Sequence, residues 1–319
     1  MGTSRGEVPS ESASAIRVGP GAWEWLAAAD RAGRVGGSFR GGLNVVFGSE
    51  AVVCLQSPSI PIHPWALVAD VPWEEVEEGA PVTVSRGVLS VGRFVLPLAE
   101  VEVVDLTFHP PEHLVSLKEL QQRVALIEQL LAETPDPFES EFDRAFVRDR
   151  DRILAHWNET GDPEVLLHLI GRGPGTTPAG DDTLIGLLAG LEVIAAVAPV
   201  ATRSSLHATC HVPQAGAHLL LQATRHKLRA RHHNETSLLS AQTLSTAAIG
   251  LFSQPLLDLE RVLVERKTTM SKVSRAGTTA LLTGHTTGRS ALLGLVGRLA
   301  VVGFDWIGSG LSVVHGWET

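Results

Sequence analysis

At 319 residues the chain is long enough for a real core and for two domains of ordinary size. A formal net charge of −9 excludes a general nucleic-acid or anionic-membrane surface, which needs a basic face to release counterions from phosphates. With 44% hydrophobic and 19% charged residues the composition is that of a soluble globular protein, and the two cysteines, Cys54 and Cys210, form no CxxC pair and no zinc spacing, so a reduced, cytoplasmic setting is expected.

Residues 1–15 are small and polar, with neither a positively charged start nor an apolar core, and are expected to form a disordered leader. Residues 16–110 have the texture of strands. GLNVVFGSEAVVCLQ, Gly41 to Gln56, holds two β-branched runs around Gly48 and Ser49 and predicts a hairpin, with Asn44 facing outward or lining a site. PVTVSRGVLSVGRFVLPL, Pro81 to Leu98, repeats the pattern, and VEVVDLTF, Val101 to Phe108, closes the series. The acidic WEEVEEG, Trp73 to Gly79, reads as a solvated loop or helical turn.

His109, Pro110 and Pro111 mark a change of texture, because paired prolines cannot continue a strand. Residues 111–319 read as helices: Ser116 to Glu133, with Ser116 as a cap, then Glu139 to Trp157, Pro163 to Ile170, Asp182 to Ala198 and Gln214 to Ala230. Ser237 to Phe252, Pro255 to Glu265, Val273 to Thr283 and Arg289 to Val302 follow. Arg298 and Asp305 interrupt the last apolar run, Ala291 to Val314, which points to a buried helix and a loop in place of a membrane span. The expected fold is α+β, a small N-terminal β-sandwich or barrel-like domain followed by a mainly helical domain.

The helical domain carries an internal repeat. Shifted by 108 residues, GDDTLIGLLAGLEV from Gly180 lies over GRSALLGLVGRLAV from Gly288, with Gly180/Gly288, Gly186/Gly294 and Leu187/Leu295 among the identities. Each copy is a small-residue loop entering a helix that is apolar nearly all round, so both helices are expected to be buried.

The loop ahead of the first copy, GRGPGTTPAGDD, holds Gly173, Gly175, Thr176, Thr177 and Gly180 before Asp181 and Asp182. A glycine-rich turn feeding a helix leaves backbone N–H groups unpaired at the positive end of the helix dipole, which suits an anion. GTTPAG satisfies the first half of a phosphate-binding P-loop, but two aspartates stand where that motif has Lys and then Ser or Thr and would repel a bare phosphate, which argues against an ordinary ATP P-loop. Three roles stay open to Asp181 and Asp182: capping the helix, holding a divalent metal such as Mg2+ that bridges to an anion, or accepting N–H bonds from a nitrogen-bearing substrate. The second copy offers GHTTG, with Gly284, His285, Thr286, Thr287 and Gly288, where His285 can donate to an anion or transfer a proton. Arg289 and Ser290 replace the aspartates there, giving the two loops opposite charge, and a true pseudo-twofold would set them across one cleft. In RHHNETS, Arg231 to Ser237, the His232, His233 and Glu235 spacing is not that of a metal-binding helix, and Asn234, Thr236 or Ser237 is expected to cap the next one.

GRGPGTTPAGDDTLIG resembles the GxGPGLTPSGDD signature of the AllH-like family, named after a subunit of oxamate carbamoyltransferase. NETSLLSAQTLSTAAIG, LLTGHTTGRSALLG and LNVVF around Asn44 are similar to that family's further motifs. Thr176 departs from the usual Leu, Asn234 and Glu235 stand ahead of Thr236 and Ser237 where a threonine pair is common, and Arg289 with Ser290 removes a carboxylate from the second loop. The resemblance implies a subunit that acts with two other proteins to move a carbamoyl group between oxamate and phosphate in purine and allantoin catabolism. The two loops make Asp181, Asp182 and His285 the candidate catalytic residues. Asn44, Gly173, Gly175, Thr176, Thr177, Gly180, Thr236, Ser237, Gly284, Thr286, Thr287 and Gly288 become the candidate contacts to a small anionic or amide metabolite. A non-catalytic metabolite-binding or scaffold subunit and a metal-dependent phosphoryl transferase are the competing classes.

Overall fold

The computed structural model describes residues 11–135, 140–202, 214–231, 235–284 and 287–305. Two compact units divide it: Met1–Thr107 with Thr236–Leu257, and Phe108–Glu235 with Asp258–Thr319. Among the described residues the helices are α1 (Pro20–Ala27), α2 (Leu117–Glu133), α3 (Glu141–Thr160), α4 (Ala179–Thr202), α5 (Gln214–Arg231), α6 (Leu238–Ala247), α7 (Gln254–Val264), α8 (Met270–Leu281) and α9 (Thr287–Asp305). The strands are β1 (Glu11–Ser12), β2 (Ala15–Val18), β3 (Arg31–Phe39), β4 (Gly42–Phe47), β5 (Ala51–Gln56), β6 (Ala66–Ala69), β7 (Pro81–Ser85), β8 (Val88–Val91), β9 (Phe94–Pro97) and β10 (Glu102–Val103).

In the first unit all ten strands join one curled sheet, in the order β1-β9-β8-β7-β3-β4-β5-β6-β2-β10, which is the barrel-like form of the expected fold. The β4–β5 hairpin pairs Gly42 with Gln56 through to Phe47 with Ala51. The valine-rich run becomes the meander β7–β8–β9. Alternation in β7 turns Val82 and Val84 inward, whereas β5 is buried throughout, as a strand covered on both faces must be. Helix α1 adds Ala22 and Leu26 to the core that the sheet curls around.

Two strands carry no strand signature. β3, RAGRVGGSF, is polar and glycine-rich, yet it pairs with both β4 and β7. A side chain at Gly33 would press into the Phe47 ring and the Val46 carbonyl, 2.8 and 2.7 Å from its Cβ, so the glycine is there for close packing and does not mark a loop. β1 lies inside the stretch read as a leader, where Glu11 pairs with Phe94; residues 1–10 are outside the described set. The Trp73 to Gly79 segment is a 3-10 turn, but Trp73 is 1% exposed and anchors the core beside Phe94, so only its glutamates answer to a solvated turn.

α6 also clusters with this unit. The Gln242 side-chain oxygen accepts the Val52 N–H at 2.8 Å, and the Trp65 indole donates to the Gln242 carbonyl at 3.2 Å. The helix stops at Ala247, short of the expected Phe252. Gly250 takes φ 86° and the Phe252 N–H turns to the Leu106 carbonyl.

In the second unit α2 opens with the capping box of Ser116 and Glu119, and α3 with that of Ser140 and Asp143. Gly161, at φ 67°, ends α3, and the Pro163 to Ile170 pattern yields a 3-10 turn, Val165–Leu169. Buried Arg123 satisfies carbonyls at the end of α7 and just past it, donating to Val262, Leu263 and Glu265 through Nη1 and to Thr268 through Nη2. Among the described residues no helix is long and apolar enough to cross a membrane.

Candidate functional site

The site grows out of how α4 and α9 cross. A Cβ on Gly186 would fall on the Ala291 carbonyl, and one on Gly294 on the Thr183 carbonyl. The 108-residue shift converts Thr183 into Ala291 and Gly186 into Gly294, so these two contacts are one contact seen from each side of a pseudo-twofold axis. The helices touch backbone to backbone, which only glycine allows at those points. Gly180 and Gly288 serve the same purpose one step earlier: added side chains would strike the Leu169 and Ala280 carbonyls. Both glycines are therefore explained by packing.

That crossing brings the two helix starts together. The Thr177 hydroxyl, from the loop ahead of α4, lies 3.1 Å from the Thr287 hydroxyl at the first residue of α9. Thr177 donates to Asp182 Oδ2 at 3.2 Å, and Thr287 also bonds that carboxyl. Asp182 is 2% exposed. Burial pushes its carboxyl up to about 8; the Thr287 and Thr177 hydrogen bonds pull the other way, and neighbouring Asp181 adds to the rise. At neutral pH it is a carboxylic acid, able to donate as well as accept.

Asp181 has a different job. It is 0% exposed and its Oδ1 accepts the Gly171 N–H at 2.8 Å, tying the loop back onto the helix start. Of the two aspartates that could hold Mg2+, Asp181 spends one oxygen on a backbone amide. Among the described residues no group of three or more His, Cys, Asp or Glu is placed to hold a metal.

The first-turn amides of α4 are not the open cradle that the glycine-rich pattern suggests. Ala179 donates to Pro174, Gly180 to Arg172, and both Asp181 and Asp182 to Pro178. The loop itself keeps its donors: the N–H groups of Gly173, Gly175 and Thr177 find no acceptor among the described residues. Gly173 and Gly175 take φ 94° and 109°, conformations that favour glycine, and Gly175 and Thr176 are exposed.

Arg289 does not charge the second loop. Its Nη1 donates to the Leu131 and Thr134 carbonyls at 3.0 and 3.1 Å, closing the C-terminal end of α2, where a cation is favoured by the helix dipole. Ser290, the counterpart of Asp182 in the repeat, is 0% exposed and its hydroxyl has no partner among the described residues. Gly284 takes φ 67° after α8; His285 and Thr286 lie outside the described residues, as do His232, His233, Asn234 and Cys210.

Asn44, Thr236 and Ser237 belong to the other unit. Ser237 caps α6 by accepting the Ser240 N–H, and Asn44 Oδ1 accepts the Cys54 thiol at 3.1 Å. Burial pushes that thiol up to about 12. A charged cluster that no motif marks lies further along α4. Glu192 pairs with Arg225 of α5, and Glu260 of α7, 0% exposed, has no partner for either carboxylate oxygen among the described residues. Burial pushes Glu192 up to about 7 against the pull of Arg225, and holds Glu260 well above the ordinary carboxyl range. Glu192, Arg225 and Glu260 lie on three different helices with no motif spacing between them, so the sequence alone does not bring them together.

A family model described as oxamate carbamoyltransferase subunit AllH matches residues 169–299, less than half of the chain. The matched stretch contains the loop ahead of α4, all of α4, and α9 as far as Leu299. The family is the one that the GRGPGTTPAGDDTLIG block resembles. Neither the comparison with curated proteins nor that with solved structures gives a match.

Proposed function

We propose that this chain is a carbamoyl-transfer subunit, handling oxamate or a closely related small amide carboxylate together with partner subunits, and that Asp182, Thr177 and Thr287 form its polar centre. The observation that carries this reading is the meeting of both repeat copies at one buried carboxylic acid, inside the stretch that the family model matches.

The chemistry follows from the proton on Asp182. Moving a carbamoyl group from an amide nitrogen to phosphate breaks a C–N bond and forms a C–O bond, and the departing nitrogen must gain a proton. A carboxyl held near 8 keeps that proton at neutral pH and retrieves it in the reverse direction. Thr177 and Thr287 orient the carboxyl and can bond a carbonyl oxygen. The Gly173, Gly175 and Thr177 amides are the donors on offer to an anion. Asp181 acts as a positioning residue through Gly171.

The test is a thermal-shift and turnover series on the chain copurified with its partner subunits, using carbamoyl phosphate and oxamate. Either ligand should raise the melting temperature of the wild type, as linkage requires of anything that binds only the folded state. Thr177→Ala and Thr287→Ala should reduce that rise, and Asp182→Asn should lower turnover about 100-fold or more. Full turnover in Asp182→Asn would overturn the assignment.

A further inference from the structure

Within the first unit a pocket of about 340 Å3 opens between α1 and the β7–β8 turn. That is large enough for a small organic ligand, since such sites run from roughly 300 to 1,000 Å3. Trp23, Leu26, Val84 and Leu98 give it apolar walls, and Asp30 and Arg86 are its only charged lining residues.

The turn beside it is built against its own residue type. Ser85 pairs with Val88, leaving Arg86 and Gly87 as a two-residue loop with φ 51° and 73°. Positive φ at both central positions calls for Asn, Asp or Gly at the first, and Arg86 is the one non-glycine residue with positive φ among those described. Asp30 clamps the turn: its two carboxylate oxygens accept the Arg86 N–H and the Ser85 hydroxyl, each at 3.1 Å. Neither is spent on the guanidinium, and no described side chain pairs with it. The fold thus tolerates a strained arginine that it does not use, held at the edge of an apolar pocket. Strain of that kind persists where the side chain has another purpose.

We propose that this pocket binds a small amphipathic carboxylate, its aryl or alkyl body against Trp23 and Leu26 and its carboxylate on the Arg86 guanidinium. Arginine presents a planar fork that matches a carboxylate in two parallel bonds, which a neutral amide cannot reproduce. The apolar walls suit a different ligand from the small polar substrate proposed for the second unit, so this proposal does not rest on that reading.

Calorimetric titration of the full chain with phenylacetate, hexanoate and the uncharged phenylacetamide tests it. Saturable binding of at least one carboxylate, at least tenfold tighter than the amide, is expected. Arg86→Gly relieves the positive φ, so the variant should melt no lower than the wild type while its affinity for the carboxylate falls at least tenfold to the level of the amide. Asp182→Asn should leave the titration unchanged, which keeps a failure here distinct from a failure of the carbamoyl-transfer assignment. No saturable binding of either carboxylate, or equal affinity in Arg86→Gly, would overturn the proposal.

Discussion

Asp182→Asn separates a buried acid from a buried carboxylate by thermodynamics alone, without any substrate. In the folded chain desolvation raises the carboxyl from 3.8 to about 8, while the unfolded chain returns it to its ordinary value. The folded state therefore binds the proton more tightly. The stability that this residue contributes is complete below about pH 4 and is lost as the pH climbs to about 8. Between those limits the loss approaches about 1.4 kcal/mol per pH unit, so from pH 5 to pH 7 it comes to about 3 kcal/mol. Asn keeps the shape and stays neutral throughout, and its amide can still bond Thr177 and Thr287. Urea denaturation of both proteins at pH 5, 6, 7, 8 and 9 gives the difference directly, and subtracting one from the other cancels Glu192 and Glu260, which titrate in both. The wild type should lose about 3 kcal/mol relative to the variant between pH 5 and pH 7, with the difference levelling off above pH 8. A difference that stays flat to within about 0.5 kcal/mol, or in which the wild type gains with rising pH, would mean that Asp182 is ionised in the folded chain, and the proton-donor argument would go with it.

Gly186→Ala and Gly294→Ala should each destabilise the chain by about 2 kcal/mol or more, although alanine gains about 1 kcal/mol over glycine in an exposed helix; denaturant midpoints decide the sign. Arg289→Ala should lower the melting temperature by removing the bonds to the α2 carbonyls while leaving ligand-induced shifts intact, and a lost ligand response would place the guanidinium in the site after all. Glu260→Gln should gain on the wild type in stability as pH rises above the ordinary carboxyl range, because burial makes the folded carboxyl hold its proton more tightly than the unfolded one. Cys54 should resist iodoacetamide at pH 8 in the folded chain and react once urea unfolds it, read by mass spectrometry of its peptide.

The parts of the fold that were legible are those whose local pattern agrees with their final surroundings. The β7–β9 meander alternates as its burial demands, the β4–β5 hairpin follows the two β-branched runs around Gly48 and Ser49, and Ser116 and Ser237 cap the helices they precede. What escaped is set by partners remote in sequence. β3 is a strand because β4 and β7 flank it, and its glycines are needed by Val46 and Phe47. α6 is recognisable as a helix, but its place beside the sheet depends on Gln242 meeting Val52 across 190 residues. Likewise the doublet Asp181-Asp182 stands out as a pair, yet only the folded surroundings divide it into a residue that fixes Gly171 and one whose carboxyl burial pushes up to about 8.

The repeat explains why that division occurs where it does. Two helices that must touch backbone to backbone at Gly186 and Gly294 cannot be shifted along one another, so their starts are fixed in register one to two turns away. Gly180 and Gly288 press those starts against the Leu169 and Ala280 carbonyls. A polar residue two positions beyond either glycine is then buried by construction: Asp182 in one copy, Ser290 in the other, 2% and 0% exposed. Symmetry buries both, and chemistry distinguishes them, because a carboxyl in such a place is driven to hold a proton that a serine hydroxyl never gives up near neutral pH. The same glycines that a sequence reader takes for a phosphate cradle thus act one step earlier, by making the desolvated setting in which an aspartate becomes an acid.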